Sequence, residues 1–200
     1  MARESTVRDR IVAAALDRFH TLGYTATGVQ EIVDLAGVPK GSFYNYFKAK
    51  EHLAIETLKL YLQASRRDML SDRKIAPLDR VRTHFDLMAA QYEAHGYSKG
   101  CLIGNMFAEI TRETPLIQEF LRNALQNWTT ALSGVISEGQ ADGAIRSDVP
   151  PDQTARYMIN GWEGAIIRMK LTDSGESLED FFELMFPWLT GDRRIGNDPA

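Results

Sequence analysis

Apolar residues recur along most of the chain at the spacing of an α-helix, and no stretch shows the strict alternation of a half-buried strand. Glycine, proline and short polar runs interrupt the pattern and mark where the predicted helices end. The pattern therefore predicts an all-α protein. The predicted helices cover residues 7–22, 29–36, 40–47, 50–71, 78–94, 101–110, 116–138, 153–170 and 178–189. Leu22 is expected on the buried face of the first helix, and Asp152 is expected to cap the helix that begins at residue 153.

Two short helices joined by a tight turn are predicted within residues 27–51. Val29 and Ile32 begin an apolar face on the first helix. Gly37 ends this helix and turns the chain, because glycine enters positive φ without steric cost. Pro39 suits the first turn of the second helix, where its missing N–H is no loss. The sequence thus predicts a helix-turn-helix.

The exposed face of the second helix predicts a surface suited to DNA. Phe43 and Phe47 repeat at i, i+4 and form its buried stripe. Lysine favours the O6/N7 edge of guanine and asparagine the N6/N7 edge of adenine, and a helix-turn-helix places this helix in the major groove. The residues left exposed are Lys40, Gly41, Ser42, Tyr44, Asn45 and Tyr46, with Lys48 and Lys50 just beyond.

A composite pattern runs through the N-terminal quarter of the chain. Its members are Phe19, Gly23-Tyr24, Thr27, Val29, Ile32, Ala36-Gly37-Val38, Lys40–Phe47 and Lys50-Glu51. In this order and spacing they resemble the DNA-binding domain of the TetR family of transcriptional repressors. The resemblance departs at Pro39 and Ala49, where many members carry a hydroxyl residue. It implies a three-helix DNA-binding domain over residues 1–50 and an α-helical ligand-binding and dimerisation domain over 51–190. The polar tail over residues 191–200 is expected to be disordered.

The resemblance also implies roles for individual residues. Thr27, Tyr44, Tyr46 and Lys50 match positions that contact phosphate, whereas Lys40, Gly41, Ser42 and Asn45 match positions that face bases. The implied partner is a palindromic, double-stranded operator bound by a homodimer. The last two helices would form the dimer interface, and Gly161, Gly164 and Ala165 would permit their close approach. The helix over residues 50–71 would transmit a signal from the ligand-binding domain to the DNA-binding domain.

Charge and composition agree with a cytoplasmic regulator. The chain carries a net charge of −4, while residues 1–50 hold seven basic and five acidic side chains. Positive charge near the helix-turn-helix with an acidic remainder suits a nucleic-acid module on an effector domain. The N-terminus lacks an apolar signal core, no run approaches a membrane span, and one cysteine excludes an internal disulfide framework.

Cys101 is the first candidate for the sensor of the signal. It follows Lys99 and stands at a predicted helix N-terminus, where the helix dipole favours a thiolate that attacks electrophiles and oxidants. Its segment is similar to the N-ethylmaleimide-reductase repressors, a branch of the family that carries Gly-Cys-Leu here. Lys170 matches a lysine of that branch and is a candidate charge partner. The alternative is that Cys101 is a small buried hydrophobe and Lys170 a surface lysine.

A noncovalent pocket for a hydrophobic small molecule is the second candidate. Ligand cavities are mostly apolar with few polar groups. The candidate lining residues are Met88, Tyr92, Met106, Phe107, Trp128, Met158 and Trp162, each of which also suits a plain core.

Enzyme and metal functions find no support in the sequence, which predicts no cofactor. The four histidines and the one cysteine lack the spacing of metal ligands. There is no nucleophile elbow, phosphate-binding glycine loop or metalloprotease motif. The acidic pairs Glu109/Glu113 and Glu179/Glu183 are interpreted as solvated helix faces rather than acid–base pairs.

Overall fold

The computed structural model describes residues 6–64 and 67–191, and in these residues it confirms the all-α prediction, with no strand. The predicted tail beyond Gly191 lies outside the described residues. The nine described α-helices are α1 Val7–Thr21, α2 Val29–Leu35, α3 Lys40–Tyr46, α4 Lys50–Ala64, α5 Pro77–Ala94, α6 Leu102–Glu109, α7 Pro115–Ala141, α8 Pro151–Thr172 and α9 Glu176–Thr190, with a 3-10 helix at Arg67–Ser71.

The contacts of the chain divide it into two compact units. The first unit combines Met1–Ser65 with Cys101–Asn123, and the second combines Arg66–Gly100 with Ala124–Ala200. The first unit therefore contains α1–α4, α6 and the beginning of α7. The predicted functional boundary after residue 50 stays a prediction.

Helices α1–α3 share the core of the first unit. The Thr6 hydroxyl caps α1 by accepting a hydrogen bond from the Asp9 N–H, and the Asp9 carboxylate accepts one from the Thr6 N–H. Gly37, at a φ of 63°, makes the turn between α2 and α3 as predicted. Leu22 is exposed, so its predicted place on the buried face is wrong: α1 ends at Thr21 and Leu22 is its C-cap. The buried apolar side chains of α1–α3 and their connections include Ile11, Ala15, Phe19, Ile32, Val33, Phe43 and Phe47.

Two predicted helix boundaries are corrected. The helix predicted over residues 50–71 is two elements, α4 and the 3-10 helix, between which residues 65–66 lie outside the described part. Asp152 does not cap α8, because Pro150 occupies the N-cap position and the helix begins at Pro151. The Asp152 carboxylate instead accepts a 2.7 Å hydrogen bond from Arg156 one turn later.

The second unit is built around aromatic side chains. The Trp162 ring lies 5.1 Å from both Phe85 and Phe181, measured between ring centroids. The buried Trp128 indole N–H donates a 3.0 Å hydrogen bond to His84 Nε2. Among the described residues, no helix combines the length and the hydropathy that crossing a bilayer requires.

Candidate functional site

Helix α3 presents polar side chains on one face and is anchored by phenylalanines on the other. Phe43 is fully buried and Phe47 is 3% exposed, whereas Tyr44 is 61% exposed. The Tyr44 ring packs edge-on against Phe43, with centroids 5.1 Å apart, and this contact restrains an exposed aromatic side chain. Of the other predicted contact residues, Lys40, Gly41, Asn45 and Tyr46 are exposed and Ser42 is half-buried.

Thr27 is placed differently from the surface residues of α3. Its side chain is buried, and its hydroxyl donates to the Gly23 carbonyl oxygen at 2.7 Å and to the Arg18 carbonyl oxygen at 3.3 Å. These bonds close the loop between α1 and α2. The side chain therefore has a structural role here, and the predicted phosphate contact through it is not supported by its geometry.

Lys50 also holds this loop. Its ammonium donates to the carbonyl oxygens of Tyr24 at 2.8 Å and Thr27 at 3.0 Å, and it lies 4.2 Å from the centroid of the Tyr24 ring. Burial lowers the pKa of Lys50 below its ordinary 10.5, and the charge of Glu109 opposes this shift. An ammonium has three N–H donors, and these two hydrogen bonds use two of them. A phosphate contact through the third donor stays a prediction.

Glu109, at the end of α6, accepts hydrogen bonds from the same loop. Its two carboxylate oxygens receive the N–H groups of Tyr24 at 3.2 Å and Thr25 at 2.7 Å. The interpretation of Glu109 as a solvated face shared with Glu113 is therefore wrong, because α6 ends at Glu109 and Glu113 lies in the following turn. The sequence carried no local signal for these contacts.

Glu51 makes a similar contact with the start of α7. One of its carboxylate oxygens accepts the N–H groups of Leu116 at 2.8 Å and Ile117 at 3.0 Å. The first N–H groups of a helix have no intrahelical partner, and a negative charge there also suits the helix dipole. Glu51 therefore caps α7 from the first turn of α4.

Cys101 stands at the N-cap of α6, so the predicted helix start is confirmed. Its sulfur accepts the N–H of Gly104 at 3.4 Å, and the residue is 7% exposed. Lys170 lies in the last turn of α8 and is exposed. Cys101 belongs to the first compact unit and Lys170 to the second. Pairing of the two side chains stays a prediction.

The seven candidate pocket residues are distributed over both units. Met106 and Phe107, on α6, belong to the first unit, where Met106 is buried. The other five belong to the second unit, where Tyr92 is half-buried and Met88, Trp128, Met158 and Trp162 are buried. Tyr92 lies 6.3 Å from Trp162 between ring centroids.

One buried polar atom in this group has no hydrogen-bond partner. The Trp162 side chain is fully buried, yet its indole Nε1–H donates to no acceptor within the described part of the chain. A buried donor without a partner is costly and needs an explanation.

Comparison with known proteins identifies the family. A model of bacterial regulatory proteins of the tetR family matches residues 11–57, and a model of the tetracyclin repressor-like C-terminal domain matches residues 77–185. The chain is 34% identical over 189 residues to the HTH-type transcriptional repressor DhaR of Mycobacterium sp. (strain GP1), covering 93% of each protein. It is 26% identical over 180 residues to the HTH-type transcriptional repressor NemR of Escherichia coli K12, covering 88% of this chain and 90% of NemR.

Solved structures agree with this family. A regulatory protein TetR from Rhodobacter sphaeroides, 30% identical, superposes with a TM-score of 0.83 over 92% of this chain and 98% of that protein. The reduced form of E. coli NemR, 25% identical, superposes with a TM-score of 0.81 over 90% of this chain and 94% of NemR. The chain therefore belongs to the TetR family of DNA-binding transcriptional regulators and has NemR among its relatives.

Proposed function

We propose that the protein is a homodimeric transcriptional repressor that binds a palindromic operator through α3 and releases it when a signal arrives. The observation that carries this proposal is the arrangement of α3, where buried Phe43 and Phe47 anchor a helix whose exposed side chains are of the types that can read bases and contact phosphates. DhaR and NemR are named repressors, which supports repression rather than activation.

A palindromic operator follows from a two-fold dimer. Two copies of α3 would meet half-sites about one helical turn, ~34 Å, apart. Exposed apolar side chains on the last two helices support this assembly, since a dimer interface there would remove them from water. They are Tyr157, Ile167 and Leu171 on α8 and Leu184 on α9.

The test of DNA binding begins with selection of an operator from random duplexes. Asn45→Ala should then weaken binding to the selected operator about tenfold, because a bidentate contact with a base contributes ~1–3 kcal/mol. Asn127→Ala, which makes the same change at an exposed residue of α7, is the matched control. Binding should also weaken steeply with salt. Failure to select any duplex, or equal binding by both variants, would count against the proposal.

The first candidate signal is an electrophile or oxidant that modifies Cys101. Its sulfur caps α6 at the Gly104 N–H, so an adduct would remove the cap and add bulk where the residue is 93% buried. A helix N-terminus also favours the reactive thiolate. The likeness to NemR, of which a reduced form has been solved, supports a redox-sensitive thiol. The resulting shift of α6 and α4 would change the separation of the two recognition helices.

The test of this signal compares wild type with Cys101→Ser. Serine retains a side-chain acceptor for the Gly104 N–H but lacks the thiol, so α6 should stay capped. Each protein, bound to its operator, is titrated with N-ethylmaleimide and then with hypochlorite. Release by wild type alone would support the proposal, and mass spectrometry should find the adduct on the chain's one cysteine. Identical behaviour of the two proteins would exclude Cys101 as the switch.

The second candidate signal is a noncovalent hydrophobic ligand, with Cys101 as a structural residue. The buried Trp162 Nε1–H without an acceptor favours it, because a ligand carbonyl oxygen would satisfy that donor. The rings of Phe85, Tyr92 and Phe181 lie within 6.3 Å of the Trp162 ring, so a ligand that binds this N–H would contact aromatic side chains.

The test of this alternative uses Cys101→Ser as the parent protein, so that thiol chemistry is absent. Aromatic ketones are screened for release of the operator, and any active compound is tested on the added substitution Trp162→Phe, which keeps an aromatic ring but lacks the N–H. Release of the operator should require a higher concentration of the active compound in Trp162→Phe and an unchanged concentration in Trp188→Phe. Equal responses would show that the Trp162 N–H does not recognise the ligand.

A further inference from the structure

The loop that leads from α1 into the helix-turn-helix is held by side chains of opposite charge. Glu109 accepts the N–H groups of Tyr24 and Thr25, and Lys50 donates to the carbonyl oxygens of Tyr24 and Thr27. Hydrogen bonds to charged groups are about twice as strong as neutral ones. The backbone of this short loop is therefore restrained in both directions, by α6 through the carboxylate and by α4 through the ammonium.

Gly23 makes room for the carboxylate. A Cβ atom at this position would lie 2.5 Å from Glu109 Oε1 and 3.0 Å from Glu109 Cδ, which is too close for a real contact. Gly23 also adopts a φ of 91°, which L side chains rarely adopt. The glycine thus allows both the turn after α1 and the approach of α6 to the loop.

The loop has a direct structural connection to the DNA-binding helices. It ends at Gly28, the N-cap of α2, and no side chain of residues 6–64 or 67–191 caps that helix. The loop therefore leads directly into α2, and α2 joins α3 through the turn at Gly37. A change in the loop would move the pair that contains the recognition helix.

We propose that Glu109 is a positioning residue for DNA binding, which holds the loop Gly23–Thr25 in the geometry that binds the operator. The residue touches no DNA and acts through the loop and α2. Because Glu109 ends the helix that Cys101 caps, displacement of α6 would withdraw the carboxylate from the loop. The role of Glu109 rests on the proposed binding of an operator by α3 and is independent of which signal displaces α6.

The test compares Glu109→Gln with Glu113→Gln. Both substitutions remove one negative charge near the end of α6, and Glu113 is exposed in the turn that follows. Loss of a negative charge alone strengthens attraction to phosphates, so it predicts slightly tighter binding by both variants. The positioning role instead predicts weaker operator binding, and it predicts this for Glu109→Gln only. Its affinity for the operator should fall at least fivefold, because glutamine cannot accept both N–H groups with ionised oxygens.

Two further readouts separate positioning from other effects. The slope of log affinity against log salt should be the same in Glu109→Gln and wild type, since no phosphate contact is removed. Without DNA, amide hydrogen exchange of Tyr24 and Thr25 should accelerate in Glu109→Gln, while core amides of α1 stay protected. This exchange measurement tests the loop contact even if no operator is found.

The proposal is overturned if Glu109→Gln binds the operator as tightly as Glu113→Gln, or if exchange in the loop is unchanged. Glu109→Asp covers the case in which Glu109→Gln destabilises the whole protein. It keeps the charge but shortens the reach by one methylene, so it should weaken operator binding without lowering the melting temperature. Wild-type affinity in Glu109→Asp would likewise overturn the proposal.

Discussion

Thr27 illustrates how a residue of a DNA-binding motif can serve the fold instead of the ligand. Its hydroxyl closes the loop Leu22–Gly28 from inside, through bonds to the carbonyl oxygens of Gly23 and Arg18. A polar side chain that is 1% exposed must satisfy its hydroxyl within the protein. A resemblance in sequence marks such a position as important, but it does not show whether the residue stabilises the fold or contacts DNA.

Replacement of Thr27 by valine tests this structural role. Valine has nearly the same shape but leaves the Gly23 carbonyl oxygen without its donor, so the free energy of unfolding should fall by about 1–2 kcal/mol. Thr25→Val, at an exposed position of the same loop, should change it by less than ~0.5 kcal/mol. Urea denaturation measures both. If Thr27→Val keeps wild-type stability and instead loses affinity for DNA, the hydroxyl contacts phosphate after all.

At the scale of the elements, local signals in the sequence predict helix ends well. Gly37 marks the end of α2, because the turn there requires a positive φ that glycine adopts without strain. Cys101 stands at the start of α6, because an apolar run begins directly after it. Asp152 misled the prediction because aspartate is favoured both at the N-cap position and in the first turn of a helix. The prolines Pro150 and Pro151 shift the helix start by their own fixed φ.

Contacts between distant elements are the part that the sequence did not predict. Glu109 reaches Tyr24 across 85 residues of chain, and Glu51 reaches Leu116 across 65. Helical periodicity marks both glutamates as polar positions, and it carries no information on which backbone groups another helix brings near. The exposed residues of α3 were predictable because they follow from one helix and its own buried stripe.

Helices α5 and α7 are joined in the second unit by an ion pair whose pH dependence can be measured. Arg80 is buried, donates to the Leu70 carbonyl oxygen at 3.1 Å, and forms a hydrogen-bonded ion pair with Glu138. This hydrogen bond holds the pKa of the Glu138 carboxyl below its ordinary 4.5. A carboxyl whose pKa is lower in the folded state stabilises that state fully above 4.5, and the stabilisation is lost as the pH falls through the lowered pKa.

Glu138→Gln should therefore reduce the loss of stability that occurs as the pH falls below 4.5. At neutral pH the variant should unfold more easily than wild type, because Arg80 keeps a buried charge without its carboxylate. As the pH falls below 4.5, the difference between the two proteins should shrink. Thermal melting across this pH range measures it, with Glu119→Gln on the exposed face of α7 as the control. A difference that stays constant with pH would contradict this assignment.

At the scale of the whole molecule, the proposed dimer would place the last two helices at the subunit interface. The Ile167 side chain is 67% exposed and that of Leu171 is 83% exposed, on the same helix as Gly164, where an added Cβ would meet no atom within 4 Å. Helix α9 carries only acidic charged residues, whereas the end of α8 carries Arg168 and Lys170. A two-fold interface that brings α8 of one copy against α9 of the other would match these charges.

Ile167→Glu should break such a dimer without unfolding its subunits. The isoleucine is already in solvent in the single chain, so a glutamate there leaves the melting of the monomer unchanged. It would place unpaired charges in the buried centre of the dimer and raise the dissociation constant at least tenfold. Leu60→Glu, which puts the same charge on a partly exposed residue of α4, should leave the dimer intact. Sedimentation equilibrium measures both.

The same variant connects assembly to recognition of the operator. A palindrome binds two copies of α3 at once, and the second contact adds affinity because the dimer holds it at high effective concentration. Ile167→Glu should consequently bind the full operator only as tightly as wild type binds a single half-site. If the variant is monomeric yet binds the full palindrome with wild-type affinity, operator recognition does not require this interface. If it stays dimeric, α8 and α9 are not the interface and their apolar residues need another explanation.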